Sequence, residues 1–305
     1  MSAHKSVSKL ASASAAEEAS PYGDPAEARL VSKLASASAA EEALQDVAYV
    51  HDGTIEGLLT AVFQSYANRE VPLDVITADN LQLRLGQSVR FIETDFELAQ
   101  RVKRGIERAG GNAAFDAVVR ASLADDPAAG TIVATFIRLL MERRRAGVPS
   151  RSILDERADP RIDALVTLER HVTNEAEKMR QFVRFSHLEN GVWFARCNPN
   201  ASVVPLIMGY FAARLNTQPF IIYDENHLLA GVYGGSDWSL VRGEAGVLPS
   251  NTAEDALAEE LWRRFYDAVT IGARYHPELR RQFMPQRLWK NLPEMKPRRP
   301  TRISL

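Results

Sequence analysis

The amino-acid sequence predicts an α+β protein in which helices cover a mostly antiparallel sheet, with a helix-rich N-terminal half and a disordered N-terminal tail. Apolar residues recur at helical spacing in residues 55–66 and again in residues 161–181. Short runs of alternating apolar and polar residues, separated by turn residues, follow between residues 182 and 241. The 305-residue chain is 46% hydrophobic, which is enough to bury a sizeable core.

The predicted tail, residues 1–46, contains a tandem duplication. The 13-residue segment that begins at Val7 is repeated without change from Val31. Both copies are rich in Ala, Ser and Glu and have little bulky apolar content, so they cannot bury a core. We therefore expect one α+β domain over residues 47–294, with a potential internal boundary near residues 150–160, and a basic tail over residues 295–305.

Charge and cysteine content exclude several classes of protein. The net charge of -2 argues against a globally basic nucleic-acid binder, although residues 277–305 carry eight basic and two acidic side chains. The single cysteine, Cys197, cannot form an internal disulfide and is expected to be a buried structural thiol. No apolar run is long enough to span a bilayer, and no secretory signal is evident. We therefore predict a cytoplasmic protein that does not contact a membrane.

In the N-terminal half, a strand at residues 48–51 leads to a helix that begins after Thr54, which has the side chain of an N-cap. His51 and Asp52 could act as an acid/base pair, but a structural role beside a turn is more common. A second strand at residues 89–93 precedes a predicted capping box.

That capping box pairs Thr94 with Glu97 and opens a helix that ends near Gly110. Helices are also predicted over residues 112–123 and 131–145. The last of these ends in three arginines, for which complementing the helix dipole is the usual role and phosphate binding the alternative.

The central helix, residues 161–181, carries His171, Asn174, Glu175 and Lys178 on one face. Such a group could bind phosphate or move a proton. The ordinary alternative is a solvated helix face with a Glu-to-Lys pair.

After the central helix, a hairpin is predicted over residues 182–196, followed by a helix and three further strands up to residue 241. Asp224, Glu225 and His227 share one turn, which is typical of an acid/base or hard-metal cluster but also of ordinary turn composition. A long helix over residues 252–275 closes the predicted domain. The sequence lacks the Walker A loop, the zinc-protease helix, the nucleophile elbow and the zinc-deaminase pattern, so we predict no cofactor and no metal site.

Three segments carry a family resemblance: YVHDGTIEGLLTAVF at residues 49–63, MRQFVRF at 179–185 and RQFMPQRLWKNLPE at 281–294. With them, the chain resembles over roughly residues 48–294 the bacterial family named "probable DNA metabolism protein". Members of that family accompany a radical-SAM protein assigned to DNA modification or repair, and some are fused to a uracil-DNA glycosylase. The resemblance implies DNA and the radical-SAM protein as partners, and potentially a uracil-DNA glycosylase. No chemistry is assigned to the family itself.

The resemblance also directs attention to particular side chains. Glu177 and Tyr210 stand where family members often carry His, which argues against a mechanism that depends on either His. The residues that carry over from the resemblance are Arg184, Arg214, Asp224, Arg287, Trp289 and Lys290. All of these except Asp224, together with Arg281 of the basic C-terminal segment, are the candidates for binding nucleic acid.

Cations interleaved with aromatic residues near the C-terminus fit the same function, because cations contact phosphates and aromatic faces stack on bases. We therefore expect a DNA-binding accessory protein of DNA repair or modification. The first alternative is a glycosylase-like or nuclease-like enzyme that uses Asp224 or Glu175 as acid or base. The second alternative is a protein-docking scaffold.

Overall fold

A computed structural model describes residues 45–148, 152–242 and 283–295, together with residues 261 and 281. The described residues form two sheets and five α-helices, which confirms the predicted α+β class. The duplicated segment, the helix predicted over residues 252–275 and the basic tail beyond residue 295 lie outside the described residues.

The first sheet has three parallel strands in the order β2-β1-β3. Helix α1 connects β1 to β2, since parallel neighbours need a crossover. The sequence predicted β1, α1 and β3 but missed β2, because a proline and an aspartate interrupt its apolar alternation. The bounds are Gln45–His51 for β1, Ile55–Ala67 for α1, Pro72–Thr77 for β2 and Ser88–Phe91 for β3.

The N-caps of the first two helices differ in how well the sequence predicted them. Thr54 caps α1 as predicted. The next helix is capped by Asp95, whose carboxylate accepts from two first-turn amides at 2.9 and 3.0 Å. The hydroxyl of Thr94 instead donates to Asp52 at 2.9 Å. The predicted capping box of Thr94 and Glu97 is therefore wrong by one residue.

Helices α2, Phe96–Ala121, and α3, Ala129–Arg145, pack with α1 and the first sheet around one apolar core. Gly111 interrupts α2 with φ of 78°, next to the predicted helix end. Phe136, Ile137 and Leu140 of α3 are fully buried in this core.

The second sheet has five strands in the order β4-β5-β6-β7-β8 and is mostly antiparallel, as predicted. Its exception is the pair β5 and β6, which run parallel and are connected by helix α5. The bounds are Phe185–His187, Trp193–Cys197, Phe220–Asp224, Leu229–Tyr233 and Trp238–Arg242 for the strands and Val204–Arg214 for α5.

Helix α4, Pro160–Phe182, packs against two apolar cores. Leu165 and Leu168 belong to the core of the first sheet, whereas Val172 and Met179 belong to the core of the second. The same apolar stripe therefore joins both halves of the described structure, and the middle of α4 lies where they meet.

Gly130, in the first turn of α3, lies too close to β2 for a side chain. A Cβ atom there would be 2.3 Å from the backbone oxygen of Val75, and a backbone atom cannot rotate away as a side chain can. We expect Gly130→Ala to lower the free energy of unfolding by roughly 1 to 3 kcal/mol, as measured by urea denaturation.

The matched control is Gly209→Ala, because Gly209 is also helical but has no atom within 4 Å of a Cβ position. Alanine should stabilise that helix by up to about 1 kcal/mol. Equal effects of the two substitutions would contradict the close approach of α3 to β2.

Candidate functional site

A cleft of about 550 Å³ opens between the middle of α4 and two loops. One loop follows α2 and contains Asp125, and the other follows β5 and contains Asn200. The loop after β6 reaches the same place through His227, which contacts Asp125. Ligands of proteins with parallel strands commonly bind at the carboxyl ends of those strands, which makes this cleft the candidate site.

Glu175 lies at the cleft and is almost completely buried, with 5% exposure. Its two carboxylate oxygens accept from one terminal nitrogen of Arg287 at 2.5 and 2.7 Å. The backbone amide of Asn200 donates to it at 3.1 Å, and the ammonium of Lys178 lies 3.4 Å away. These donors replace the water that a buried carboxylate loses.

Arg287 also joins the cleft to the loop after β5. Its other terminal nitrogen donates to the backbone oxygen of Asn198 at 3.1 Å, and the amide of Asn198 donates back to the backbone oxygen of Arg287 at 3.1 Å. Asn291 donates to the side chain of Asn198 at 3.1 Å. The short 3-10 helix Gln286–Asn291 is thereby fixed against the site.

A second polar chain passes from the end of β6 to the cleft wall. Asp224 is fully buried, and its carboxylate accepts from the amides of Asn226 and His227 at 2.9 and 3.2 Å. The imidazole of His227 contacts Asp224 through Nδ1 and Asp125 through Nε2, both at 2.6 Å. Asp224 therefore orients His227, which in turn holds the cleft carboxylate of Asp125.

The pKa of His227 is about 9 because of these neighbours. Burial lowers the pKa, but hydrogen bonds and charge from Asp125 and Asp224 raise it more. The imidazole is therefore protonated at neutral pH and donates from both ring nitrogens.

The predicted polar face of the central helix is confirmed, since His171, Asn174, Glu175 and Lys178 all line the cleft. A carboxylate, an ammonium and an amide that face one cavity can donate and accept hydrogen bonds to a polar ligand or transfer a proton. Within the described part of the chain, no three His, Cys, Asp or Glu side chains are arranged to hold a metal ion.

The other predicted site residues do not line the cleft. Arg184 pairs with the buried carboxylate of Glu294 at 3.0 Å, and Lys290 pairs with Glu225 at 2.6 Å. The indole of Trp289 donates to the backbone oxygen of Met284 at 3.0 Å and packs against the second core. Arg214, in the last turn of α5, and Arg281 are exposed.

Sequence reasoning missed the contributions of Asp125, Asn198 and Asn200. Each lies in a loop and is brought to the site by tertiary contacts, so no local spacing marks it. The other candidates are structural: the thiol of Cys197 is buried and its pKa is raised by burial, and burial lowers the pKa of His51.

The buried ion pair of Glu175 and Arg287 should couple α4 to the C-terminal segment. We expect Glu175→Ala to lower the free energy of unfolding by about 3 kcal/mol, because it leaves the partly buried guanidinium of Arg287 without its carboxylate. Arg287→Ala should cost less, because Glu175 keeps its contacts with Lys178 and Asn200. The double variant should lose much less free energy of unfolding than the sum of the two single losses. A double-mutant cycle with urea denaturation measures the difference.

The matched control for that cycle is the pair of Arg157 and Asp163, which is exposed on both sides. Its coupling should be below about 1 kcal/mol. Additive losses at Glu175 and Arg287 would show that the two residues stabilise the protein independently.

The raised pKa of His227 predicts a pH-dependent contribution to stability. The folded pKa of about 9 exceeds the ordinary value of 6.5, so the stabilisation is complete below about pH 6.5 and is lost as the pH rises through 9. We expect Asp125→Asn to lower the free energy of unfolding by about 1 kcal/mol near pH 6 and by much less near pH 10. The value near pH 6 is small because Asp125 is partly exposed to solvent.

Urea denaturation of both proteins across this pH range measures the effect, and Asp126→Asn is the control in the same loop. A cost of Asp125→Asn that is constant with pH would contradict the interaction with a protonated His227.

Residues 128–294 match the family described as a domain of unknown function, DUF4130. Among curated proteins, none matches the chain. The matched range includes Glu175, Asp224, His227 and Arg287, whereas Asp125 lies just before it. In the described ranges, no helix is both long enough and apolar enough to cross a membrane. Because the match covers more than half of the chain, the protein belongs to the DUF4130 family, whose function is unknown.

Proposed function

We propose that this chain is a DNA repair or DNA modification protein that binds DNA, holds one unpaired base in the cleft, and acts as an accessory to a radical-SAM enzyme. The observation that carries the proposal is the cleft, in which His171 and Asn174 line the same cavity as the buried carboxylate of Glu175 and form no side-chain hydrogen bond within the described part of the chain. The radical-SAM partner, and potentially a uracil-DNA glycosylase, follow from the sequence resemblance.

The size and chemistry of the cleft suit an extruded nucleobase. Its volume of about 550 Å³ is that of a small-molecule site. Asp125 can accept from the amino or imino group of a base, while Asn174 and Asn200 can both donate and accept. Proteins that act on single bases extrude them into pockets and read their edges by such hydrogen bonds.

The charges around the cleft are compatible with a DNA backbone nearby. Glu175 faces Arg287 and Lys178, and Asp125 faces the protonated His227, so the two carboxylates are compensated. The exposed side chains of Arg214, Arg281 and Lys290 can contribute phosphate contacts.

The test is fluorescence anisotropy with single-stranded, duplex and uracil-containing oligonucleotides across a salt series. We expect binding that weakens linearly in a log-log plot with salt and that is strongest where a base is unpaired. Asn174→Ala and Lys178→Ala should each weaken binding about tenfold, since each removes a ligand hydrogen bond from the cleft.

The matched control is Lys103→Ala, which removes one exposed lysine from α2, outside the cleft. It should change the affinity less than about twofold. Absence of binding at low salt would overturn the proposal in favour of a protein-docking scaffold, and equal effects of Lys178→Ala and Lys103→Ala would overturn the placement of the base.

The second candidate is an enzyme that acts on the extruded base. It is favoured by one observation, the buried Glu175 facing the cleft within reach of Lys178, His171 and Asn174. Asp224, the other predicted acid or base, is sealed behind His227 and suits an orienting role better. Abasic or cleaved products in the same oligonucleotide mixtures, lost with Glu175→Gln while DNA binding persists, would favour the enzyme.

A further inference from the structure

The helical N-terminal part of the chain contains a second cavity, which the cleft does not include. This groove of about 480 Å³ lies between α1, α2 and α3. The floor of the groove is apolar and includes the buried side chains of Val62 and Ile137. Three arginines line it as well, Arg101 from α2 and Arg144 and Arg145 from the end of α3.

Three positive side chains line the groove, and the charge of Glu142, which does not line it, acts on Tyr66. No acidic side chain lines it among the described residues. Arg143, the neighbour that does not line it, pairs with Glu156 at 2.7 Å, but the structure of the described ranges shows no such ion pair for Arg101, Arg144 or Arg145. The helix dipole accounts for arginines at the end of α3, but not for Arg101, which comes from another helix.

Two aromatic rings lie between the arginines and the apolar floor of the groove. The guanidinium of Arg101 lies 4.8 Å from the ring centre of Phe63, and those of Arg138 and Arg145 lie 4.6 and 5.4 Å from the ring centre of Tyr66. These contacts orient the arginines along the groove.

Tyr66 adds a second, independent feature. Its hydroxyl oxygen is buried and has no hydrogen-bond partner within the described part of the chain. Native proteins rarely leave such a group unpaired, and an acceptor on a bound ligand would satisfy it.

We propose that this groove binds a nucleoside phosphate, with the base against the aromatic and apolar wall and the phosphate held by Arg101, Arg144 and Arg145. Guanidinium groups bind phosphate through paired N–H donors, and bases stack on aromatic rings and on guanidinium planes. Inorganic phosphate alone would leave the apolar floor of the groove without a contact. Among the described residues, no side-chain amide or carboxylate lines the groove to read a base edge, so binding should differ little between adenine and thymine.

This proposal does not rest on the function proposed for the cleft. Helix α3 contributes to the groove through its last turns, whereas the cleft is formed by the loop before α3, by α4 and by the loop after β5. The nucleotide in the groove and the base in the cleft would therefore occupy different places.

The test is isothermal titration of the full chain with thymidine monophosphate, thymidine and inorganic phosphate at low salt. We expect the nucleotide to bind, and each of its two halves to bind at least about tenfold more weakly. Adenosine monophosphate should bind within about threefold of thymidine monophosphate, since no group reads the base.

The double variant Arg101→Ala, Arg145→Ala should weaken nucleotide binding by at least about tenfold. Both side chains are exposed, so the fold should persist, which thermal unfolding checks. The matched control Arg157→Ala removes an exposed arginine outside the groove and should change the affinity less than about twofold.

A thymidine oligonucleotide distinguishes a DNA strand from a free nucleotide as the ligand of the groove. Tighter binding of the oligonucleotide, lost in the double variant, would assign the groove to a DNA strand, and equal affinity for the mononucleotide would assign it to a free nucleotide. Nucleotide binding that is absent at millimolar concentration, unchanged in the double variant, or matched by inorganic phosphate would overturn the proposal. If Lys178→Ala loses DNA binding but still binds thymidine monophosphate, the result bears on the function proposed for the cleft and not on the groove.

Discussion

The ion pair between Glu175 and Arg287 is the constraint on which the second half of the structure depends. Removing a carboxylate and a guanidinium from water is costly, and that cost is offset only when donors and acceptors are matched. Here the match is made by Asn200, Lys178 and the reciprocal hydrogen bonds of Arg287 with Asn198. The pair therefore holds together α4, the loop after β5 and the C-terminal 3-10 helix, which are far apart in the sequence. A change in any one of these partners alters the environment of Glu175.

The position of that pair follows from the two apolar cores. Helix α4 packs its apolar stripe into one core up to Leu168 and into the other from Val172, so the two cores meet at the middle of the helix. Polar residues in that middle are left facing the loop that follows α2 and the loops that follow the parallel strands β5 and β6. One wall of the cleft is the middle of α4, and the two loops opposite it are held by the contact of Asp125 with His227 and of Asn200 with Glu175, which gives the fixed geometry that a binding or catalytic site needs.

Local chemistry in the sequence predicted a large part of this arrangement. Helical spacing placed four polar residues of α4 on one face, and they line one cleft. The missing part depends on long-range contacts: His227 meets Asp125 across 102 positions and Glu175 meets Arg287 across 112. A pairing of charges at such separations leaves no periodic signal in one sequence. The choice of N-cap for α2 was also not predictable, because Thr94 and Asp95 are both good N-cap residues. Asp95 is the N-cap because the hydroxyl of Thr94 is bonded to Asp52.

The C-terminal segment with the most distinctive spacing has a structural explanation that bears on how DNA would be held. Arg287 is bound by Glu175, Lys290 by Glu225, and Trp289 packs on the second core. A cation already paired with a carboxylate releases fewer counterions when it meets a phosphate, so it contributes less to affinity and to its salt dependence than an unpaired one. By the same reasoning, Arg101, Arg144 and Arg145, which line a groove and form no ion pair among the described residues, are better suited to phosphate. The number and the spacing of basic residues in a sequence are therefore poor guides to a phosphate site unless the carboxylates that face them are also known.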